Sequence, residues 1–142
     1  MLERVAASES GNRDADRLVA PAWLRRALGS PSSYIFLAVR EREPVGFVSG
    51  YRFPRLDDAS DQVYVFDIEV LPELRRQGIG RRLLEALLEA CGQERVSWAW
   101  AGTARENVAA QALFASVGGE RGGETYVEFE FTPPRGPAEQ AG

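Results

Sequence analysis

Val70-Leu71-Pro72-Glu73-Leu74-Arg75-Arg76-Gln77-Gly78-Ile79-Gly80-Arg81-Arg82-Leu83-Leu84 is the stretch whose reading decides the fold. A β-rich run ends here, the chain turns through a glycine-rich segment, and an amphipathic helix opens. Such a turn presents unpaired backbone N–H groups at the positive end of a helix dipole, which makes it a cradle for an anion. Gly78 and Gly80 let the backbone approach a diphosphate closely, and the neighbouring arginines add charge-assisted contacts. Two familiar phosphate motifs do not fit, since no Lys-Ser or Lys-Thr follows the glycines and no G-x-G-x-x-G is present. The plain alternative is a solvated turn with a basic helix start.

Composition sharpens that reading. All 17 basic residues are arginine, and Arg75, Arg76, Arg81 and Arg82 flank this one turn. The remaining 13 basic residues face 21 acidic ones, so a local anion site lies in an otherwise acidic chain. That balance suits a phosphate-bearing cofactor and a cationic second substrate, and without a long basic stripe bearing aromatics nucleic acid is not expected. The chain has no histidine and a single cysteine, Cys91, which excludes imidazole-based triads, histidine metal sites and an internal disulfide; no metal is expected. Its 142 residues, 44% hydrophobic, suffice for one core. The longest apolar run, Tyr34 to Val39, is too short to span a bilayer, and the charged N-terminus does not read as a signal peptide, so a cytoplasmic protein without membrane contact is expected.

The expected order is mixed α/β (α+β), in one domain over residues 1–131 with a flexible tail over 132–142. Pro21 to Leu28 reads as a short amphipathic helix stopped by Gly29. Tyr34 to Arg40 and Val45 to Phe53 form a hairpin about Glu41-Arg42-Glu43-Pro44, and a loop runs from Pro54 to Gln62. Val63 to Leu71 is a central strand, its alternation placing Tyr64, Phe66, Ile68 and Val70 on one face and Val63, Val65, Asp67 and Glu69 on the other. A helix over Gly80 to Ala90 turns Leu83, Leu84, Leu87, Leu88 and Cys91 inward and ends at Gly92. Arg95 to Ala101 is a strand, Asn107 to Val117 a helix ended by Gly118, and Thr125 to Phe131 a final alternating strand. Cys91, Trp98 and Trp100 read as core.

The opening stretch resembles the signature of the GNAT superfamily, a strand, R/Q-x-x-G-x-G/A, and an amphipathic helix. A second match, Asn107-x-x-Ala110-x-x-Leu113-Phe114-x-x-x-Gly118, is similar to that superfamily's helix whose Asn meets the cofactor's pantetheine arm. The two together cover roughly residues 34–131. The resemblance implies a mixed, twisted central sheet with flanking helices, splayed at the strand over residues 63–71, with acetyl-CoA lying in the gap. It implies a cofactor site of Ile68, Glu69, Val70, Arg75, Arg76, Gln77, Gly78, Ile79, Gly80, Arg81, Asn107, Ala110 and Phe114. Within the superfamily, Tyr51-Arg52-Phe53-Pro54-Arg55-Leu56-Asp57 with Val63-Tyr64-Val65-Phe66-Asp67-Ile68-Glu69-Val70 is most similar to aminoglycoside 3-N-acetyltransferases of the gentamicin and fortimicin type. The acceptor is then a polycationic amine, and the biological setting antibiotic resistance.

On that resemblance Asp67 is the expected general base and the backbone N–H of Val70 the donor that polarises the thioester oxygen. The alternative for Asp67 is a pair with an arginine or a turn cap. Tyr51, Asp57, Asp58, Asp67 and Glu69 are the expected acceptor contacts, from a run, Asp57 to Glu69, with five carboxylates and no basic residue; a solvated loop is the alternative for Asp57, Asp58 and Asp61. Glu128 and Glu130 either add charge to the cleft or face water. Phe114 stands where the family usually has the Tyr that protonates the leaving thiolate. With a thiol pKa of about 8.5, water suffices as donor at modest cost in rate, and Tyr126 and Ser116 are the side chains to consider instead. Direct attack in a ternary complex is expected, because no well-placed nucleophile suggests an acyl-enzyme. The alternatives are the same chemistry on a polyamine, a small metabolite or a protein N-terminus, or a catalytically weak CoA-binding module. About twenty residues precede the first helix, fewer than in the aminoglycoside enzymes, so a first strand and helix are expected to be shortened or missing, and an exposed sheet edge favours a homodimer.

Overall fold

The structure is a computed structural model and describes residues 21–136. The expectations for the N-terminal strand and helix, and for the tail after residue 136, lie outside the described residues. The order is α1 (Pro21–Gly29), β1 (Ser33–Arg40), β2 (Glu43–Arg55), β3 (Ser60–Val70), a 3₁₀ turn (Pro72–Leu74), α2 (Ile79–Gln93), β4 (Trp98–Ala101) and α3 (Val108–Ser116). The strands form one sheet in sequence order, antiparallel from β1 to β3 and parallel between β3 and β4.

Glu41 and Arg42, both with positive φ, close the first hairpin, because a two-residue loop of this hand matches strand twist. The expected loop from Pro54 to Gln62 is instead mostly hairpin, with Arg55 opposite Ser60. Pro54 is tolerated because β2 has no β1 partner beyond Tyr51, and the Asp58 carboxylate accepts the Ser60 N–H at 3.0 Å to shape the turn.

One face of the sheet packs on α2. Leu87, Val48 and Val63 are fully buried there, each contributing about 1.5–3 kcal/mol by burial, and Leu83, Leu84 and Cys91 join them as the helix periodicity and the core reading of Cys91 required. The helix runs through Gly92 to Gln93, and Glu94 caps it with its N–H on Ala90 and Gly92 carbonyls. The expected strand start at Arg95 moves to Trp98, because Arg95 has φ of 59° and Val96 N–H turns back to the Cys91 carbonyl. Beneath the sheet, Arg52 joins Asp61 and Glu94 in ion pairs, and the Tyr34 hydroxyl donates to Glu94, fastening β1 and β2 to the end of α2.

The alternation expected for β3 breaks at Phe66. Ser49 pairs with Asp67 but Gly50 pairs with Val65, so Phe66 is an extra residue, a β-bulge. The bulge reverses the phase of the upper half. Ile68 and Val70 join Val63 and Val65 in packing on the core, while Asp67 and Glu69 lie opposite Ser49 and Phe47 on the outer face.

The expected strand Thr125 to Phe131 is not one. Residues 124–136 are assigned no regular structure, and Tyr126, Val127, Phe129 and Phe131 are exposed. Alternation specifies which side chains share a face, but only a ladder partner makes a strand. Glu128 and Glu130 on this segment are likewise exposed and do not line the cleft described below.

Candidate active site

The β3–β4 pairing stops at Val65 opposite Ala101. Above that point the strands part, and a cleft of about 220 Å³ opens between them. Val65, Phe66, Asp67 and Ile68 line its β3 wall, Gly102 and Thr103 the end of β4, and Asn107, Ala110 and Phe114 the facing side of α3. Leu71 N–H donates to the Val45 carbonyl at 2.9 Å. Since N–H directions alternate along a strand, the N–H groups of Val70 and Ile68 point the other way, to the edge that β4 has left. The Val70 carbonyl on that edge accepts Arg75 Nε at 3.1 Å, tying the arginine turn to the top of the strand.

At the turn, Gly78 caps α2 with φ of 81° and Arg76 also takes a left-handed φ of 61°. The backbone is therefore drawn into a tight nest in front of the helix, with Arg75, Arg76, Gln77 and Gly78 all exposed. Gly80 faces Leu113 of α3, where a Cβ would meet it at an ordinary contact distance of 3.5 Å, and Ile79 packs against the core. Arg81 is engaged with Glu85 one turn on, at 2.8 Å. Asn107 caps α3, its Oδ1 accepting the Ala110 N–H at 3.0 Å, which fixes the side-chain amide at the cleft wall.

Two carboxylates stand on the outer face beside the cleft. Desolvation raises the pKa of Asp67. Glu69 is pushed up to about 7, by desolvation first and then by the Asp67 charge, and its Oε2 is buried with no hydrogen-bond partner among the described residues. Among the described residues, Asp67 has no arginine partner, and neither of the alternatives considered for it, an arginine pair or a turn cap, is found there.

Asp57, Asp58 and Asp61 are placed differently. Arg55 pairs with Asp57 and lies 3.8 Å from Asp58, and Arg52 holds Asp61 at 2.7 Å. A window from Asp57 to Glu69 contains no basic residue, but long side chains from just before it fold back onto its carboxylates. Tyr51 lies on the outer face, edge-on to the Phe66 ring with centroids 6.0 Å apart. The two side chains considered as stand-ins for Phe114 are occupied elsewhere, Ser116 on the Leu113 carbonyl at 2.6 Å and the exposed Tyr126 on Glu124. Trp98 and Trp100 are exposed on the outer face rather than core; Ala99 and Ala101 are the β4 residues that pack inward. Gly102 and Thr103 were missed by the sequence reading, although they follow directly on the last paired residue of β4.

A strand that bulges, a parallel neighbour that leaves it, and a basic glycine turn onto a helix together define a cleft suited to an extended phosphate-bearing thioester. The acetyltransferase (GNAT) family model matches residues 2–118. The chain belongs to the GNAT acetyltransferase family. Members of this GNAT group take their acyl unit from acetyl-CoA.

Among its relatives, the [ribosomal protein bS18]-alanine N-acetyltransferase of Escherichia coli K12 is 40% identical over 58 residues, 41% of this chain and 39% of that protein. The L-2,4-diaminobutyric acid acetyltransferase of Nocardia farcinica is 31% identical over 111 residues, 70% of this chain and 56% of that protein. The chain thus matches only 39% and 56% of the length of these two relatives. An aminoglycoside acetyltransferase from an uncultured soil metagenomic sample superposes with a TM-score of 0.82 at 20% identity, covering 92% of this chain and 85% of the other, which supports the GNAT fold.

Proposed function

We propose that this protein is an acetyl-CoA-dependent N-acetyltransferase whose acceptor is a cationic amine, and that the acceptor is an aminoglycoside amine at the 3-N position. Acetyl-CoA, when bound, supplies the activated acyl carbon. The nest of Arg76 and Gly78 with the first turn of α2 fits a diphosphate, and Asn107, Ala110 and Phe114 fit an extended arm in the cleft. The Val70 N–H points to the open edge, where it would donate to the oxygen of a bound thioester.

The observation that carries the acceptor reading is Asp67 in the cleft lining with Glu69 two residues on along the same face of β3, neither with an arginine partner among the described residues. An ammonium must lose a proton before it attacks. Glu69, with a pKa of about 7, is poised to take that proton near neutrality, and Asp67, which lines the cleft, holds the cation in place. In this reading Glu69 takes the base role expected of Asp67, and Asp67 keeps the contact with the cation. Cys91 is buried in the core with its thiol pushed up by desolvation, which supports direct attack without an acyl-enzyme. Ser116 and Tyr126 are engaged elsewhere, so the proton for a departing thiolate would come from water.

The second reading is a small metabolite or a protein N-terminus as acceptor, in line with the diaminobutyric acid and the ribosomal-protein alanine that the relatives' names give. Residues 1–131 are read as one domain, and a cytoplasmic homodimer remains the expectation. The test is the double variant Asp67→Asn, Glu69→Gln. Loss of acetyl transfer with acetyl-CoA binding retained is expected; unchanged turnover overturns the acceptor assignment.

A further inference from the structure

The outer face of the sheet carries exposed aromatic rings in a continuous strip. Trp100 stacks obliquely on Tyr64 with centroids 4.4 Å apart, Tyr64 meets Phe66 edge-on at 6.0 Å, and Phe66 meets Tyr51. Phe66 is 60% exposed and Trp100 44%. Rings of this size are costly to leave in water, and a contiguous exposed apolar patch marks a binding surface. The bulge creates it, since the extra residue puts Phe66 and Asp67 side by side on the outer face.

Charge fixes what the strip takes. At its upper end stand Asp67 and Glu69, without an ion-pair partner among the described residues, and at its lower end Arg55 has neutralised Asp57 and approaches Asp58. Beyond the lower end, a cation already lies over a neighbouring outer-face ring, the Arg55 guanidinium 5.6 Å from the Trp98 centroid. A ligand lying along the strip thus needs a positive charge beside Asp67 and an apolar body over the rings. Phe66 and Asp67 also line the cleft, so the strip leads directly to the reaction site.

We propose that Trp100, Tyr64, Phe66 and Tyr51 form the acceptor platform and that its occupant is a saturated ring bearing protonated amines, an amino sugar. The C–H face of such a ring covers the aromatic faces while its ammonium groups meet Asp67 and Glu69. A linear polyamine satisfies the carboxylates but lays only a narrow, flexible methylene chain over the rings, covering less of each face than a saturated ring does. This inference rests on the acceptor reading above and narrows it to the ring as the recognised shape.

The experiment separates the two. Intrinsic fluorescence of the full chain is titrated with kanamycin and with spermidine in the absence of acetyl-CoA, and KM and kcat are then measured for both with Trp100→Ala and Trp100→Phe. Saturable quenching by kanamycin, smaller for spermidine and reduced in Trp100→Phe, is expected. In Trp100→Ala, KM for kanamycin is expected to rise at least tenfold with kcat within twofold, and KM for spermidine to move less than twofold. Equal changes for both amines, or none, overturn the platform. Kanamycin quenching without turnover of any amine keeps the platform and overturns acetyl transfer; turnover of kanamycin without quenching does the reverse. If Trp100→Ala does not fold, as judged by circular dichroism, the comparison of wild type with Trp100→Phe decides by quenching alone.

Discussion

Replacing Glu69 with glutamine removes a charge that the folded state disfavours, and the consequence can be worked through. The Glu69 carboxyl has a pKa of about 7 in the folded chain against an ordinary 4.5, so the native state holds its proton more tightly than the unfolded chain does. Stability therefore falls as pH rises from the unfolded value through the folded one, and the full penalty applies above about pH 7. At about 1.36 kcal/mol per unit the shift corresponds to roughly 3 kcal/mol, and because the group is only partly buried solvent screening halves that to about 1–2 kcal/mol. Glu69→Gln should match wild type in urea denaturation at pH 4.5 and exceed it by about 1–2 kcal/mol at pH 8.5, a Tm gain of roughly 3–6 °C. The same variant should lose the kcat/KM inflection near pH 7. A stability difference that does not change between pH 4.5 and 8.5 would refute the reasoning.

Other positions give sharper structural tests. A Cβ at Gly46 would lie 2.7 Å from the Glu69 carbonyl, backbone against backbone, so Gly46→Ala should destabilise by about 1–3 kcal/mol in chemical denaturation and disturb the Glu69 side. At Gly78 there is open space but φ is 81°; Gly78→Ala should cost about 1–2 kcal/mol and weaken acetyl-CoA affinity measured by calorimetry. Asn107→Ala removes the cap of α3, and thermal melts should show a loss of about 1 kcal/mol.

Most of the fold was legible where a local signal had a local cause. The glycine turn, the inward leucines of α2, and Asn107 opening α3 all follow from residues a turn apart. The upper half of β3 was misread because a bulge is a property of two strands in register, and nothing within residues 63–71 announces that Phe66 lacks a partner. The same limit explains Trp98 and Trp100, since which β4 side chains face α2 depends on the pairing with β3, and the neutralised Asp57 and Asp61, whose arginines lie outside the acidic run. The alternating segment 125–131 names a face but no edge to join. In the site, the family resemblance points to Asp67, Ile68, Asn107, Ala110 and Phe114, which line the cleft, whereas the raised Glu69 pKa depends on burial that only packing determines.

The central claim, acetyl transfer to a cationic amine, is tested most directly by free-thiol release from acetyl-CoA with the purified chain against kanamycin, gentamicin, spermidine, diaminobutyrate and a peptide. Turnover that requires an aminoglycoside and disappears in the Asp67→Asn, Glu69→Gln double variant is the result predicted here. Acetyl-CoA binding with no thiol release above the solvent rate for any of these amines would contradict it.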